Sequence, residues 1–228
     1  MKWNAKFNYP KSTRSIINGS RHYCIGEYQL PSVSHILEAT KPQKDKEALK
    51  KWKIQVGEIE AARISHDSTS RGNLMHKTIE KFLLNKLSDK LLEEENLAEK
   101  MAFEIIEHGL RNSLSEIYGC EATLYYPKRY GGTCDTVGVY DGSETIIDYK
   151  NSIRPKKIEW IRSYLLQCAG YAMAHNKVYN SNITKGVILM CSTDLTFQKF
   201  VVEGDEFLEL QDEFMKRVEL YYKMKSKN

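Results

Sequence analysis

The feature that most limits what this chain can become is a change of hydrophobic period near Gly119. Upstream, apolar residues recur at three- and four-residue steps; downstream, short β-branched and aromatic runs alternate with turn residues. The runs are Cys120 to Tyr126, Thr133 to Tyr140 and Thr145 to Tyr149, separated by Pro127, Gly131-Gly132 and Asp141-Gly142. Three such runs joined by tight turns read as a meander of neighbouring strands. A helical pattern follows from about Lys157 to Val178, then two strand patterns, Gly186 to Cys191 and Thr196 to Val202. A closing helix carries Phe207, Leu210, Phe214, Val218 and Tyr221. A meander, a crossover helix and returning strands predict an α/β fold with one central mixed sheet flanked by helices.

The upstream half reads as mainly helical. Pro31-Ser32 opens a short helix bearing Val33, Ile36 and Leu37, with Ser32 placed to cap an orphan amide. The spacing of Leu49, Trp52, Val56 and Ile59 predicts a helix from Gln43 to about His66. A second helix, opened by Ser70-Arg71-Gly72, is expected from near Thr69 past Leu84. A third is expected from about Asp89 to Tyr118, with Leu97, Met101, Ile105, Leu110, Leu114 and Ile117 on one face. Before these, Ile16 to Gln29 reads as a hairpin around Asn18-Gly19-Ser20. At 228 residues the chain suits a single domain with a well-buried core. Its expected parts are a mainly helical segment at about 30–118, the sheet with its crossover helix at 119–202 and a C-terminal helix at 203–228. The end, Lys223-Met-Lys-Ser-Lys, reads as a solvated helix terminus.

Composition narrows the partners. With 34 Lys plus Arg against 30 Asp plus Glu, the net charge of +4 is too small to act as a field over the whole molecule, so an anionic partner must be met by a local patch. No apolar run approaches the roughly 18 to 20 residues of a membrane span, and no charged-then-apolar leader opens the sequence, which predicts a soluble protein with no membrane partner. The cysteines, Cys24, Cys120, Cys134, Cys168 and Cys191, are odd in number and widely spaced, and read as small buried thiols in a reducing compartment rather than a disulfide framework.

The chemistry concentrates in Glu121, in Asp135 of Gly131-Gly-Thr-Cys-Asp135, and in Asp148-Tyr149-Lys150 at the end of an apolar strand. Carboxylates from neighbouring strands can converge on one point, and Mg²⁺ or Mn²⁺ is a hard cation that prefers such oxygens. A lysine beside them supplies a fixed positive charge where a phosphodiester accumulates negative charge. On pattern alone the same residues also fit a salt-bridged strand end. On the following helix, Trp160, Tyr164, Gln167 and Tyr171 fall within about 60° of one another at 100° per residue, beside an apolar face of Ile161, Leu165, Cys168 and Ala172. Rings interleaved with an amide suit unpaired bases and phosphate oxygens, and equally suit the border of a core. His76 and Glu80 lie four apart, on a helix face distinct from Met75, Ile79 and Phe82.

Arg71-Gly-Asn-Leu-Met-His76, Glu121, Gly-Thr-Cys-Asp135, Asp148-Tyr-Lys150 and Gln167-Cys-Ala-Gly-Tyr171 together resemble the ordered motifs of RecB-type nucleases of the PD-(D/E)XK superfamily. Leu30-Pro-Ser-Val-Ser-His-Ile-Leu37, Leu49-Lys-Lys-Trp-Lys53 and the His76 to Glu80 helix resemble, more narrowly, the mitochondrial genome maintenance exonucleases and their bacterial and viral relatives. The similarity runs from about Leu30 to Val202. It implies a restriction-endonuclease-like core and a metal-dependent exonuclease acting on single-stranded DNA with a free end, in replication, repair or recombination and in company with proteins of those processes. It also implies that Asp135 and Asp148 hold Mg²⁺ or Mn²⁺, with the Tyr149 carbonyl, Glu121 and His76 completing one or two positions. Lys150 would orient the attacking water and steady the transition state. Gln167 and Tyr171 would position the backbone, with Ser32 and Ser34 close to the nucleic acid. No iron–sulfur cluster is expected, because no cysteine follows Cys191. The first residues make a poor mitochondrial presequence, so a cytoplasmic setting in a bacterium or phage-infected cell is the expectation. Two alternatives stay open: an endonuclease of the same superfamily on duplex or structured DNA, and a non-catalytic DNA-binding accessory module.

Overall fold

The computed structural model describes residues 1–17, 19–86 and 96–226. The expected turn residue Asn18, the expected helix start at Asp89 and Lys227 of the tail lie outside them. In chain order the strands are β1 (Lys2–Trp3), β2 (Thr13–Ile17), β3 (Ser20–Ile25) and β4 (Tyr28–Pro31), then β5 (Leu114–Tyr126), β6 (Tyr130–Tyr140), β7 (Ser143–Ser152), β8 (Lys185–Ser192) and β9 (Phe197–Glu203). The helices are α1 (Val33–Ala39), α2 (Gln43–Val56), α3 (Glu58–Leu83), α4 (Leu97–Ile105), α5 (Arg162–Tyr179) and α6 (Gly204–Lys225). No helix among the described residues is long and apolar enough to cross a membrane.

The expected mixed sheet flanked by helices is present. Its order is β1-β5-β6-β7-β8-β9, antiparallel through the β5–β6–β7 meander and parallel at β7–β8, where α5 makes the crossover. A parallel neighbour needs such a crossover, and burial on both faces follows from it. Every residue of β8 is buried. Side chains alternate across the sheet: Ile146 and Ile188 pack with Leu165, Leu166, Phe207 and Phe214 of α5 and α6. Their neighbours Ile147, Val187 and Leu189 pack on the other face with Met75, Ile79 and Met101 of α3 and α4. A second, three-stranded antiparallel sheet, β2-β3-β4, extends the expected hairpin by one strand. Edge strand β1, pairing parallel with β5, carried no pattern of its own.

Two helix boundaries are corrected. The break in the upstream helical run falls at Gly57, with φ of 86°, and not between His66 and Thr69. Gly57 takes a backbone conformation costly to any residue with a Cβ, so it ends α2; Ser70, Arg71 and Gly72 lie inside α3 and do not open it. The third helix was read too far. Beyond α4 a π-helical turn, Ile106–Leu110, closes the helical part, and Leu114 and Ile117 belong to β5. Irregularities between Leu114 and Glu116 and between Ile117 and Gly119 break the strand's alternation, so its apolar residues imitate a helical spacing.

Candidate active site

The site begins where two neighbouring strands part. The β6–β7 ladder ends at Thr136 opposite Ile147, while β7 runs on beside β8 to Ser152 and β6 runs on beside β5 to Tyr130. Asp135 and Asp148 occupy the next positions, at the mouth of this fork. Asp135 Oδ2 accepts a hydrogen bond from the Tyr149 backbone N–H at 2.8 Å, standing in for the lost ladder contact. Glu121 lies between Cys120 and Ala122, which pair with Thr136 and Cys134, so it faces Asp135 across β5–β6. Its φ of 50° is a left-handed conformation rarely held by a residue with a side chain. Like charges directly opposite one another on a sheet cost stability, and a site that gathers them has a use for them.

Helix α3 closes the group from one face. His76 Nε2 lies 2.8 Å from the Tyr149 carbonyl oxygen, and Nδ1 lies 3.5 Å from Asp135 Oδ1. Ligating atoms of His76, Glu121 and Asp135 all fall within 4.8 Å of one another. Asp148 stands apart from this trio. It is 2% exposed, and its Oδ2 forms a close ion pair with Lys150 Nζ at 2.5 Å. The Lys150 ammonium also sits 5.0 Å from the Tyr164 ring centroid, on the α5 side.

These charges perturb one another. Burial, then the Asp135 charge, pushes the Glu121 carboxyl up to about 7. Burial likewise raises Asp148 to about 6, with Asp135 adding to the rise and Lys150 opposing it. For Asp135 burial works against ionisation, but His76 and Lys150 outweigh it and hold the carboxyl below its usual range. Burial opposes the charged forms of His76 and Lys150 too; Asp135 for the first, and Asp148 with Asp135 for the second, shift both upward. Four of the five groups are thereby shifted toward holding a proton, Asp135 being the exception, and their charge is shared across the fork.

A cleft of about 1040 Å³ opens over the fork, and Asp135, Glu121, His76 and Lys150 line it. Of the expected nucleic-acid contacts, Ser32, Ser34, Tyr164, Gln167 and Tyr171 also line it. Ser32 caps α1 as expected, accepting from the His35 backbone at 3.0 Å, and it bridges to Gly131 of β6. Gln167 Nε2 donates to the Tyr171 hydroxyl at 3.3 Å. Gly132 makes room for that ring, since a Cβ there would come within 2.8 Å of it. Trp160 is corrected. It lies in a 3₁₀ turn, Ile158–Trp160, ahead of α5, so the helical angle that grouped it with Tyr164 does not apply. It is 62% exposed beside Lys156 and Lys157 and does not line the cleft.

Sequence reasoning missed several cleft residues. Arg14, Arg21 and Tyr23 come from the β2–β3 hairpin, Trp52 from α2, and Asn151 from β7 immediately after Lys150. Asn151 was within reach, because it directly follows the Asp148-Tyr149-Lys150 motif.

No family model matches the chain. Mitochondrial genome maintenance exonuclease 1 from Xenopus tropicalis is 27% identical over 207 residues, covering 86% of this chain and 58% of that protein. The protein of the same name from Homo sapiens is 27% identical over 173 residues, covering 72% of this chain and 50% of its own length. The chain is similar to these exonucleases over most of its length. It spans about half the length of the curated relatives it matches. A crystal structure of a candidate exonuclease from Eubacterium rectale superposes with a TM-score of 0.47 at 15% identity, over 66% of this chain and 64% of that one.

Proposed function

We propose that this protein is a nuclease of the PD-(D/E)XK type, a metal-dependent exonuclease that hydrolyses phosphodiester bonds of single-stranded DNA from a free end. The observation that carries the reading is the gathering of His76, Glu121 and Asp135 at the β6–β7 fork, with Lys150 beside them, ion-paired to the buried Asp148. Similarity to named exonucleases supports it.

The donor set fits a divalent ion. The carboxylate oxygens suit Mg²⁺ or Mn²⁺, and the imidazole favours Mn²⁺ of the two. Asp135, Glu121 and His76 would hold one ion, and Asp148 with the Tyr149 carbonyl would serve a second position. Such an ion, when bound, lowers the pKa of a water and offsets phosphate charge. The chain's own groups do the rest. Lys150, kept protonated by Asp148 and Asp135, presents a fixed cation to the phosphoryl oxygens. Gln167 and Tyr171 orient the sugar-phosphate backbone against the fork, and Ser32 with Ser34 line its approach.

End-labelled linear and circular single strands, digested with and without chelator, test this reading. Loss of label from linear strands alone, abolished by chelator and by Asp148→Ala, is the expected result. Cutting of the circles moves the assignment to an endonuclease. Binding without cleavage in any metal leaves an accessory DNA-binding module.

A further inference from the structure

One wall of the cleft has no role in the chemistry above. In the β2–β3 hairpin Arg14 pairs with Tyr23 and Ile16 with Arg21, and directly paired residues of an antiparallel ladder share a face. Arg14, Arg21 and Tyr23 all line the cleft. The two arginines are therefore diagonal cross-strand neighbours, roughly 7–8 Å apart at the backbone, both on the cleft.

Arg14 is held in place. Its guanidinium lies 5.7 Å from the centroid of the Tyr23 ring, and Nη2 reaches Thr133 Oγ1 at 3.5 Å. Tyr23 is 4% exposed, and its hydroxyl is 3.4 Å from the same Thr133 Oγ1. Thr133 stands two residues before Asp135 on β6, so this bracket fixes the arginine relative to the acidic group. Both guanidinium groups are exposed, and neither pairs with a carboxylate among the described residues. Elsewhere on the surface Arg63, Arg111 and Arg162 are neutralised by Glu60, Glu107 and Glu213. A stacked, unpaired guanidinium keeps its fork of donors open for an oxyanion and loses little freedom in meeting one.

We propose that the β2–β3 hairpin is a phosphate-holding wall, in which Arg14 and Arg21 take two backbone phosphates of a single nucleic-acid strand lying in the cleft. This rests on the nuclease reading for the identity of the ligand and adds to it the residues that grip the strand. With a net charge of only +4, attraction must come from such local placement. Contacts to phosphates carry no base information, so the wall holds every sequence alike.

The test is binding of fluorescein-labelled oligothymidylate and of a mixed-sequence strand of equal length, followed by anisotropy in chelator over a range of salt. The Arg14→Gln, Arg21→Gln pair is expected to unfold at the wild-type temperature and to lose affinity equally for both strands. Its log–log salt slope should be shallower by about 1.4, two phosphates at about 0.7 each. The Arg14→Lys, Arg21→Lys pair should keep the wild-type slope. A wild-type slope in the glutamine pair overturns the wall, and leaves the nuclease standing if the wild type cleaves with Mn²⁺. Binding by the wild type with the shallower slope in the glutamine pair, but no cleavage in any metal, overturns the nuclease and leaves the wall. A wild type that binds neither strand overturns the wall, and one that also fails to cleave in any metal overturns both.

Discussion

His76 Nε2 lies 2.8 Å from the carbonyl oxygen of Tyr149, which fixes a proton on that nitrogen and turns Nδ1 to Asp135 Oδ1 at 3.5 Å. An unprotonated Nδ1 would set a lone pair against a carboxylate, so Asp135 favours the imidazolium, and the pKa of His76 is raised against the pull of burial. A metal ion at this ring must displace a proton. It must displace another from Glu121, whose carboxyl titrates at about 7. The affinity for Mn²⁺ should therefore climb as pH rises from about 6 to about 8, by at least tenfold. Calorimetric titration should show proton release into the buffer, and Glu121→Gln should flatten the pH dependence. Affinity that is level across this range removes the proton-loaded site.

Asp148 and Lys150 form a buried pair whose members depend on each other unequally. In Lys150→Met the carboxylate loses its counter-charge, a change that costs about 3–5 kcal/mol in buried pairs. Asp148 already titrates at about 6 with its partner present, so without it the group takes a proton and recovers part of that cost. Its native pKa then lies above the unfolded value and the native state holds the extra proton, so stability falls as pH rises. The deficit of Lys150→Met against wild type should be about 2 kcal/mol near pH 8 and should shrink toward pH 5. Denaturant unfolding at both pH values checks it. Turnover should fall at least a thousandfold at either pH, because the protonated acid cannot replace the ammonium.

The strands and caps that carry this chemistry were legible because each residue there serves one local rule. Ser32 reads as a cap and is one; Ile146-Ile147 reads as a buried strand and is one, though β7 runs on to Ser152 and the acidic-lysine pair lies within it and not at its end. Leu114 and Ile117 misled because a strand interrupted at Glu116 and Gly119 spaces its apolar residues as a helix does. Trp160 misled because angular bookkeeping assumes a helix that begins only at Arg162. Arg14 and Arg21 were illegible for a different reason. What brings them to the cleft is the packing of the small sheet against β6, where Ser32 bridges Gly131, and no periodicity within the hairpin encodes that. Asp148 was read as a ligand equal to Asp135, yet the compact trio is Asp135 with Glu121 and His76. Register places residues opposite one another; it does not say which oxygens meet.

Gly72 is the point where α3 touches the end of β7. A Cβ there would sit 2.7 Å from Asn151 Nδ2, whose amide donates to the Ser68 carbonyl at 3.2 Å, while its oxygen accepts from Arg71 Nε at 3.1 Å and from Ser68 Oγ at 3.3 Å. Replacing a mid-helix glycine with alanine ordinarily gains about 1 kcal/mol. Here Gly72→Ala should displace Asn151 and forfeit hydrogen bonds of about 1 kcal/mol each, for no net gain or a loss. In an Asn151→Ala background the same substitution should stabilise by about 1 kcal/mol. Additive effects in the double-mutant cycle would show that Asn151 does not tie the helix carrying His76 to the strand carrying Lys150.

Away from the cleft, His175 is fully buried, with Nε2 3.1 Å from the Tyr9 hydroxyl and Nδ1 2.7 Å from Ser181 Oγ, and Phe7 stands edge-on at 4.6 Å. Burial holds its pKa down to about 4. The unfolded chain protonates this ring near 6.5, so between that pH and about 4 the unfolded state binds the extra proton and stability is lost as pH falls. The contribution is complete above about 6.5, and about 3 kcal/mol of it is lost by about pH 4, from roughly 1.4 kcal/mol for each pH unit. Glu121 and Asp148 titrate in the opposite sense over part of this range, so the measurement is a difference between proteins. The gap in unfolding free energy between wild type and His175→Gln should narrow steadily from pH 7 to pH 4.5. A gap that stays constant would mean that the ring charges freely in place, and that the aromatic cluster around it admits water.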